Sequence, residues 1–184
     1  MSSRWDEYIA WESKHTEDRD TSSGFLSEVW NSFGQPVLGN KFKDVLEIGI
    51  GQSGGVLQFI DAPRKESVDP LFGSVKIKAE DMSFREEFDL VIITNTLTHC
   101  DDMGKTVKRS RYALRPYGYL FFMNFLHEQE PHPHHFCFPD QIKLLFKRFH
   151  QVSWNYCPPT RRNEYIVAVY QKCPTFRKTE KTLS

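Results

Sequence analysis

Directly behind a short apolar run, Val45-Leu-Glu-Ile48, the chain places three glycines in six residues, Gly49-Ile-Gly51-Gln-Ser-Gly54, and an acid, Asp69, follows twenty residues after the first of them. No other feature narrows the fold as much. A buried strand that enters a glycine-rich bend and then a helix opens a strand–helix–strand unit. Glycine lets the backbone turn in left-handed conformations and approach a ligand closely. An acid at the end of the next strand stands where ribose hydroxyls can be held. Taken alone, the pattern fits nicotinamide, flavin or S-adenosylmethionine (SAM) binding.

The rest of the chain continues the alternation. Thr21-Ser-Ser23 offers an N-cap to a helix with the stripe Phe25, Leu26, Val29, Trp30 and Phe33; Gly34 is placed to end it and Pro36 to prevent its resumption. After the strand over 45–50, a helix is expected through Val56, Leu57, Phe59 and Ile60. A second strand ends at Val68. Val75 and Ile77 alternate with lysines as a short exposed strand does, and Phe88-Asp-Leu-Val-Ile-Ile-Thr94 reads as the most deeply buried strand. A helix over about 102–114 leads through Pro116-Tyr-Gly118 into a strand over 119–126. Asp140 then caps a helix through Ile142, Leu144, Leu145 and Phe146, and strands over about 149–156 and 164–171 close the chain.

This order predicts an α/β, Rossmann-like fold. Its mostly parallel sheet carries helices on both faces and an antiparallel C-terminal edge strand, and the ligand lies outside the carboxyl ends of the strands. Residues 1–40 form an N-terminal helical segment, a candidate lid containing Trp5, Tyr8 and Trp11; 41–172 form the nucleotide-binding domain; 173–184 form a loose polar tail. The 184 residues are enough for one core.

The formal net charge of zero argues against a strongly basic nucleic-acid binder. It conceals a division, however. Residues 1–102 hold ten Lys/Arg against nineteen Asp/Glu, a balance of −9, and residues 103–184 hold fourteen against five, a balance of +9. No apolar run is long enough to span a bilayer, and the charged N-terminus gives no readable signal peptide. The cysteines (100, 137, 157 and 173) show no CxxC spacing and read as reduced thiols of a cytoplasmic protein.

The residues around the glycines choose among the ligands. Val45-Leu-Glu47-Ile-Gly49-Ile-Gly51 resembles the first motif of the class I SAM-dependent methyltransferases, closest to their broad small-molecule group. Val68-Asp69-Pro70 is similar to the second motif, and Ala79-Glu80-Asp81-Met82 resembles the adenine-side loop. Phe88 to His99 is similar to the fourth strand, and Leu114-Arg-Pro-Tyr-Gly118-Tyr-Leu-Phe-Phe122 to the turn into the fifth. The series runs in family order over about 40–172. The resemblance implies a methyltransferase with SAM as cofactor and S-adenosylhomocysteine (SAH) as product. Glu47 then serves the ammonium of the methionine end, directly or through water. Gly49, Gly51, Gln52 and Ser53 supply close-approach backbone, Asp69 with Pro70 holds the ribose, Glu80, Asp81 and Met82 flank adenine, and Asn95 and Thr96 line the floor beside the methyl group. One departure stands out: only Pro70-Leu-Phe-Gly-Ser74 separates Asp69 from Val75, where the family usually places a full helix. The alternative reading is a catalytically degenerate member that binds a nucleoside or a protein.

Methyl transfer needs positioning and, for some acceptors, a base. His99 is the candidate base. His127, Glu130, His132, His134, His135 and Cys137 crowd one segment, but their spacing is not a regular ligand pattern, so it reads as a pocket wall and no metal is expected. Asn95-Thr-Leu-Thr98 lacks the Pro-Pro-aromatic of amino-methylating DNA enzymes, and no Pro precedes a Cys as in cytosine-C5 enzymes. Nucleic acid is therefore disfavoured, and the expected partner is a small molecule, anionic if the basic second half faces it.

Overall fold

A computed structural model describes residues 23–39, 41–126, 138–158 and 164–174. Six strands form one sheet: β1 (Asp44–Ile48), β2 (Arg64–Val68), β3 (Phe88–Thr94), β4 (Leu114–Phe125), β5 (His150–Cys157) and β6 (Tyr165–Gln171), in the order β2-β1-β3-β4-β6-β5. β2, β1, β3 and β4 pair in parallel; β6 pairs antiparallel with both β4 and β5. The antiparallel strand thus lies one position in from the C-terminal edge. The last connection is a hairpin, which lets β6 return between β4 and β5 without a crossover helix.

Helices cover both faces. β3 is buried along nearly its whole length because neither face meets water. On one side lie α1 (Ser23–Val29), a π-turn (Trp30–Gly34) and α2 (Gln35–Leu38). Leu26, Val29 and Trp30 join Val45, Ile92, Phe121 and Val167 in one core layer, with Trp30 edge-on to Phe121 at 5.3 Å. On the other side α3 (Met103–Ala113) and α4 (Pro139–Leu145) bury Val107, Ala113 and Ile142 against Ile48, Val91, Phe122 and Ala168. Phe146 stacks on Tyr170 at 4.6 Å.

Four local expectations are corrected. The N-terminal helix does not end at Gly34: it widens into a π-turn, with the Gln35 N–H donating to the Trp30 carbonyl, and resumes with Pro36 in the first turn of α2. A proline fits a first turn because its missing N–H would go unused there. Gly34 is kept small by the Trp30 ring, since a Cβ would stand 2.3 Å from it. The helix then stops at Gly39, whose φ is 69°.

Second, the helix expected through Val56 to Ile60 is a run of turns closing in one 3₁₀ turn, Leu57–Phe59. Gly54 and Gly55, at φ 78° and 61°, take conformations an α-helix does not contain. Third, Val75 and Ile77 form no strand; Val75 makes a single parallel bridge to Val68. The five residues between are too few for a right-handed crossover, so the link folds back as a loop. Fourth, Asp140 is inside the first turn of α4 and not its cap; Gln141 Oε1 accepts from the Phe138 N–H at 3.3 Å.

Cys100, Cys157 and Cys173 are free thiols. Among the described residues no helix is long and apolar enough to cross a membrane. Trp5, Tyr8 and Trp11, the His-rich segment 127–137 and the tail from 175 lie outside the described residues.

Candidate cofactor site

The carboxyl ends of β1, β2 and β3 meet around the glycine bend. The Gly49 N–H donates to the Val68 carbonyl at 2.8 Å, locking the start of the bend to β2. Gly49 has φ 75°, and a Cβ there would lie 1.8 Å from Thr96 Oγ1. That hydroxyl is within reach of both the Thr94 and Gly49 carbonyls, at 2.9 and 3.2 Å. Gly51, at φ 57°, is the opposite case: nothing lies within 4 Å of the Cβ position, so its side faces open space. This is the exposed backbone a ligand needs for close approach.

Asp69 stands at the end of β2, bonded back to the bend. Its Oδ2 accepts from the Gly51 N–H at 3.2 Å, and its Oδ1 accepts from the Leu71 and Phe72 N–H groups at 2.8 and 3.0 Å. The carboxylate is 2% exposed. It therefore fixes the shape of both the glycine bend and the shortened loop after β2.

Glu47 lies beneath the bend and is fully buried. Its Oε1 accepts from the Val56 N–H at 3.0 Å and from Thr94 Oγ1 at 3.0 Å, and its Oε2 accepts from the Leu57 N–H at 2.6 Å. Burial pushes the carboxyl pKa up from 4.5 to about 7 against the pull of these donors. The carboxylate takes the place of the carbonyls that would normally satisfy the N–H groups after the bend. In this arrangement Glu47 supports the bend from inside, and the carboxylate expected to serve a ligand's ammonium is instead bonded to the chain's own donors.

Gly55 and Thr94 both support the buried Glu47, which sequence reasoning missed. A Cβ on Gly55 would fall 2.3 Å from the Glu47 carboxylate, so the acid occupies the space this glycine leaves. The signal was present in the doubled Gly54-Gly55, which exceeds what the three-glycine pattern needs.

The other expected residues divide. Gln52 is exposed, and Ser53 and Pro70 are half-buried along the rim. Met82 points into the core with Leu46 and Ile48. Glu80 is buried, and its Oε1 accepts from the Asp102 N–H at 3.1 Å, holding the start of α3. Of the three residues expected to flank adenine, only Asp81 presents an exposed side chain, which pairs with Lys105 at 3.5 Å. Asn95 ends β3 at φ 49°, its Oδ1 accepting from the Phe125 N–H at 3.4 Å, and Thr96 is buried behind it. His99 closes the following 3₁₀ turn at 8% exposure. Among the described residues no group of His, Cys, Asp and Glu could hold a metal ion.

Residues 46–122, from β1 to β4, match the family described as the methyltransferase domain. The span contains the glycine bend, Asp69 and the end of β3 in one continuous match. Over that span the chain is similar to a methyltransferase domain. No curated protein matches the chain. Among solved structures, the N-methyltransferase NodS from Bradyrhizobium japonicum WM9, crystallised with SAH, is 16% identical, covering 90% of this chain and 98% of its own with a TM-score of 0.70. The 1,6-didemethyltoxoflavin-N1-methyltransferase of Burkholderia thailandensis, crystallised with 1,6-didemethyltoxoflavin and SAH, is 17% identical, covering 95% of this chain and 92% of its own with a TM-score of 0.60. The [4+2]-cyclase SpnF is 9% identical, with coverage of 85% and 84% and a TM-score of 0.62. At these identities the likeness is one of architecture. Between β2 and β3 the described residues add only the single parallel bridge Val68–Val75 to the sheet.

Proposed function

We propose that the protein is a SAM-dependent methyltransferase that methylates a small molecule on oxygen or nitrogen. The observation that carries this reading is the Asp69–Gly51 hydrogen bond, which puts the acid of β2 and the open backbone of the glycine bend on one crevice. The residues fit the cofactor: Gly51 leaves its side open, and Asp69 is a carboxylate at the strand end. With three N–H groups already bonded, that carboxylate keeps one of its roughly four acceptor sites for a ribose hydroxyl. Bound SAM supplies an electrophilic sulfonium methyl group. The chain's contribution is positioning: Gly49, Gly51 and the rim at Gln52 and Ser53 shape the crevice, Asp69 and Pro70 close its ribose side, and Asn95 and Thr96 form its floor. Glu47 acts through the bend. Asp81 is the adenine-side residue, with Glu80 and Met82 holding its backbone in place. SAH is the product.

Asp69→Ala is expected to weaken SAH binding by about 1.5–3 kcal/mol, roughly ten- to 150-fold, through loss of hydrogen bonds to a charged group. Asp69→Asn, which keeps an acceptor for the Leu71 and Phe72 amides but turns its amide nitrogen towards the Gly51 N–H, should lose about 1–3 kcal/mol of stability, remain folded and still bind more weakly. Unchanged calorimetric affinity in both variants would remove Asp69 from the ribose. NADH binding without a response to SAM would restore a dehydrogenase reading. His99→Ala tests the base: at least about tenfold slower methyl transfer is expected of a general base, and turnover within a factor of two of wild type would show that the imidazole only packs.

The engagement of Glu47 and Asp69 by the chain's own amides favours a second reading, a fold that binds a nucleoside or protein without turnover. It predicts SAH binding with no transfer of the methyl group to any acceptor.

A further inference from the structure

We propose that the outer face of α3, with the turn after α4, is a docking strip for the phosphate backbone of single-stranded RNA. α3, Met103-Gly-Lys-Thr-Val-Lys-Arg-Ser-Arg-Tyr-Ala113, contains four cations and no carboxylate. Lys105, Lys108 and Arg111 stand at i, i+3 steps, and like charges at that spacing repel. The fold extends this row. Arg111 donates to the Arg148 carbonyl and to the Cys173 carbonyl, both at 3.3 Å, which brings Arg148 alongside. Arg85 and Lys108 both lie against the Tyr112 ring, 5.5 and 5.8 Å from its centroid.

Arg64, Lys78, Lys105, Arg115 and Lys172 all reach carboxylates. Among the described residues, the side chains of Arg85, Lys108, Arg111 and Arg148 reach none, although the Arg85 backbone N–H donates to Glu87 Oε1 at 3.3 Å. Arg85, Lys108 and Arg148 are exposed and Arg111 is half-buried. A row of uncompensated cations is relieved by an anion of matching length, which favours a polymer over a single metabolite carboxylate. Planar guanidinium groups and a tyrosine ring among the charges add flat surfaces on which bases stack, which an acidic peptide would not use. Arg85, Lys108, Arg111 and Arg148 are none of the residues assigned to the cofactor, and the proposal does not depend on methyl transfer.

The test is fluorescence anisotropy of the full chain with a labelled oligouridylate of about twenty nucleotides. Binding at low salt is expected, weakening at least about tenfold between 50 and 200 mM salt as phosphate contacts release counterions. Arg85→Glu/Lys108→Glu/Arg148→Glu should lose at least about tenfold in affinity. The control Lys41→Glu/Lys65→Glu/Lys76→Glu carries the same change in net charge at exposed positions elsewhere and should stay near wild type. Thermal melts and SAH titration of the same samples verify folding and keep the cofactor site a separate question. No RNA binding at about 50 µM protein, an equal loss in both triple variants, or stronger binding of polyglutamate than of RNA would each overturn the proposal.

Discussion

Gly49→Ala should destabilise the fold by about 3–5 kcal/mol, the largest effect expected of any single methyl group added to the bend. Two costs combine. A non-glycine residue at φ 75° is strained by roughly 1–2 kcal/mol. The new Cβ would also displace Thr96, whose Oγ1 lies 1.8 Å from that position and bonds the Thr94 and Gly49 carbonyls. Gly51→Ala provides the contrast. Its φ of 57° carries similar strain, but its Cβ meets nothing, so the stability loss should stay near 1–2 kcal/mol while SAH affinity falls. Urea unfolding of the two variants measures the difference. Equal midpoints would mean that the packing of Thr96 on Gly49 does not hold the bend.

Glu47 governs the second large effect, which appears as a dependence on pH. Its folded pKa of about 7 lies above the ordinary 4.5. Below pH 4.5 the carboxyl is protonated in both the folded and unfolded states and costs nothing. As pH rises towards 7 the unfolded chain releases the proton and the folded chain retains it, so stability falls across that window and levels off above it. The full drop is of order 3 kcal/mol, because each pKa unit corresponds to about 1.4 kcal/mol. Glu47→Gln should flatten this slope. It should also lower stability near neutral pH by about 1–3 kcal/mol, since its amide nitrogen would face a backbone N–H where an acceptor stood. Glu47→Leu, which leaves the Val56 and Leu57 N–H groups buried without an acceptor, should cost more, about 3–5 kcal/mol. A pH slope between 4.5 and 7 that is identical in wild type and Glu47→Gln would show that another group titrates.

Much of the fold was legible because the strongest signals were local and repetitive. β3 is a continuous apolar run between polar neighbours, and β1 with its glycines announces a parallel pair; both strands formed where expected. α3 was legible from its length, and the structure adds an Asp102 cap, whose side chain accepts from the Lys105 N–H at 2.8 Å. Failures arose where a long-range contact overrode a local rule. Pro36 looks like a helix stop, but the fit of Trp30 over Gly34 and against Phe121 is worth a π-turn. Val56 to Ile60 has helical spacing, but Glu47, nine residues upstream, captures the two amides with which that helix would begin.

At the site, residue identities were easier to read than orientations. Asp69 is joined to the glycine bend through the Gly51 N–H. Glu80 and Met82 share a motif with Asp81, yet a 3₁₀ turn over Ala79–Asp81 sends the three side chains in different directions. Side-chain direction within a turn depends on backbone angles that a residue pattern does not encode. Glu47 illustrates the same limit. An acid two residues before a glycine bend can face outward to a ligand or inward to the bend, and only the hydrogen bonds of Val56, Leu57 and Thr94 distinguish the two.

The central claim is that a SAM-type nucleoside binds beside the glycine bend, with a ribose hydroxyl on the acceptor site that Asp69 keeps free of the Gly51, Leu71 and Phe72 amides. The most direct measurement is an amide chemical-shift titration of the isotope-labelled protein with SAH. Saturable shifts are predicted at the amides of residues 49–55, with the Leu71 and Phe72 amides moving as their shared acceptor is redrawn. No shift in the bend at about 1 mM SAH, or saturable shifts confined to another part of the sheet, would contradict it.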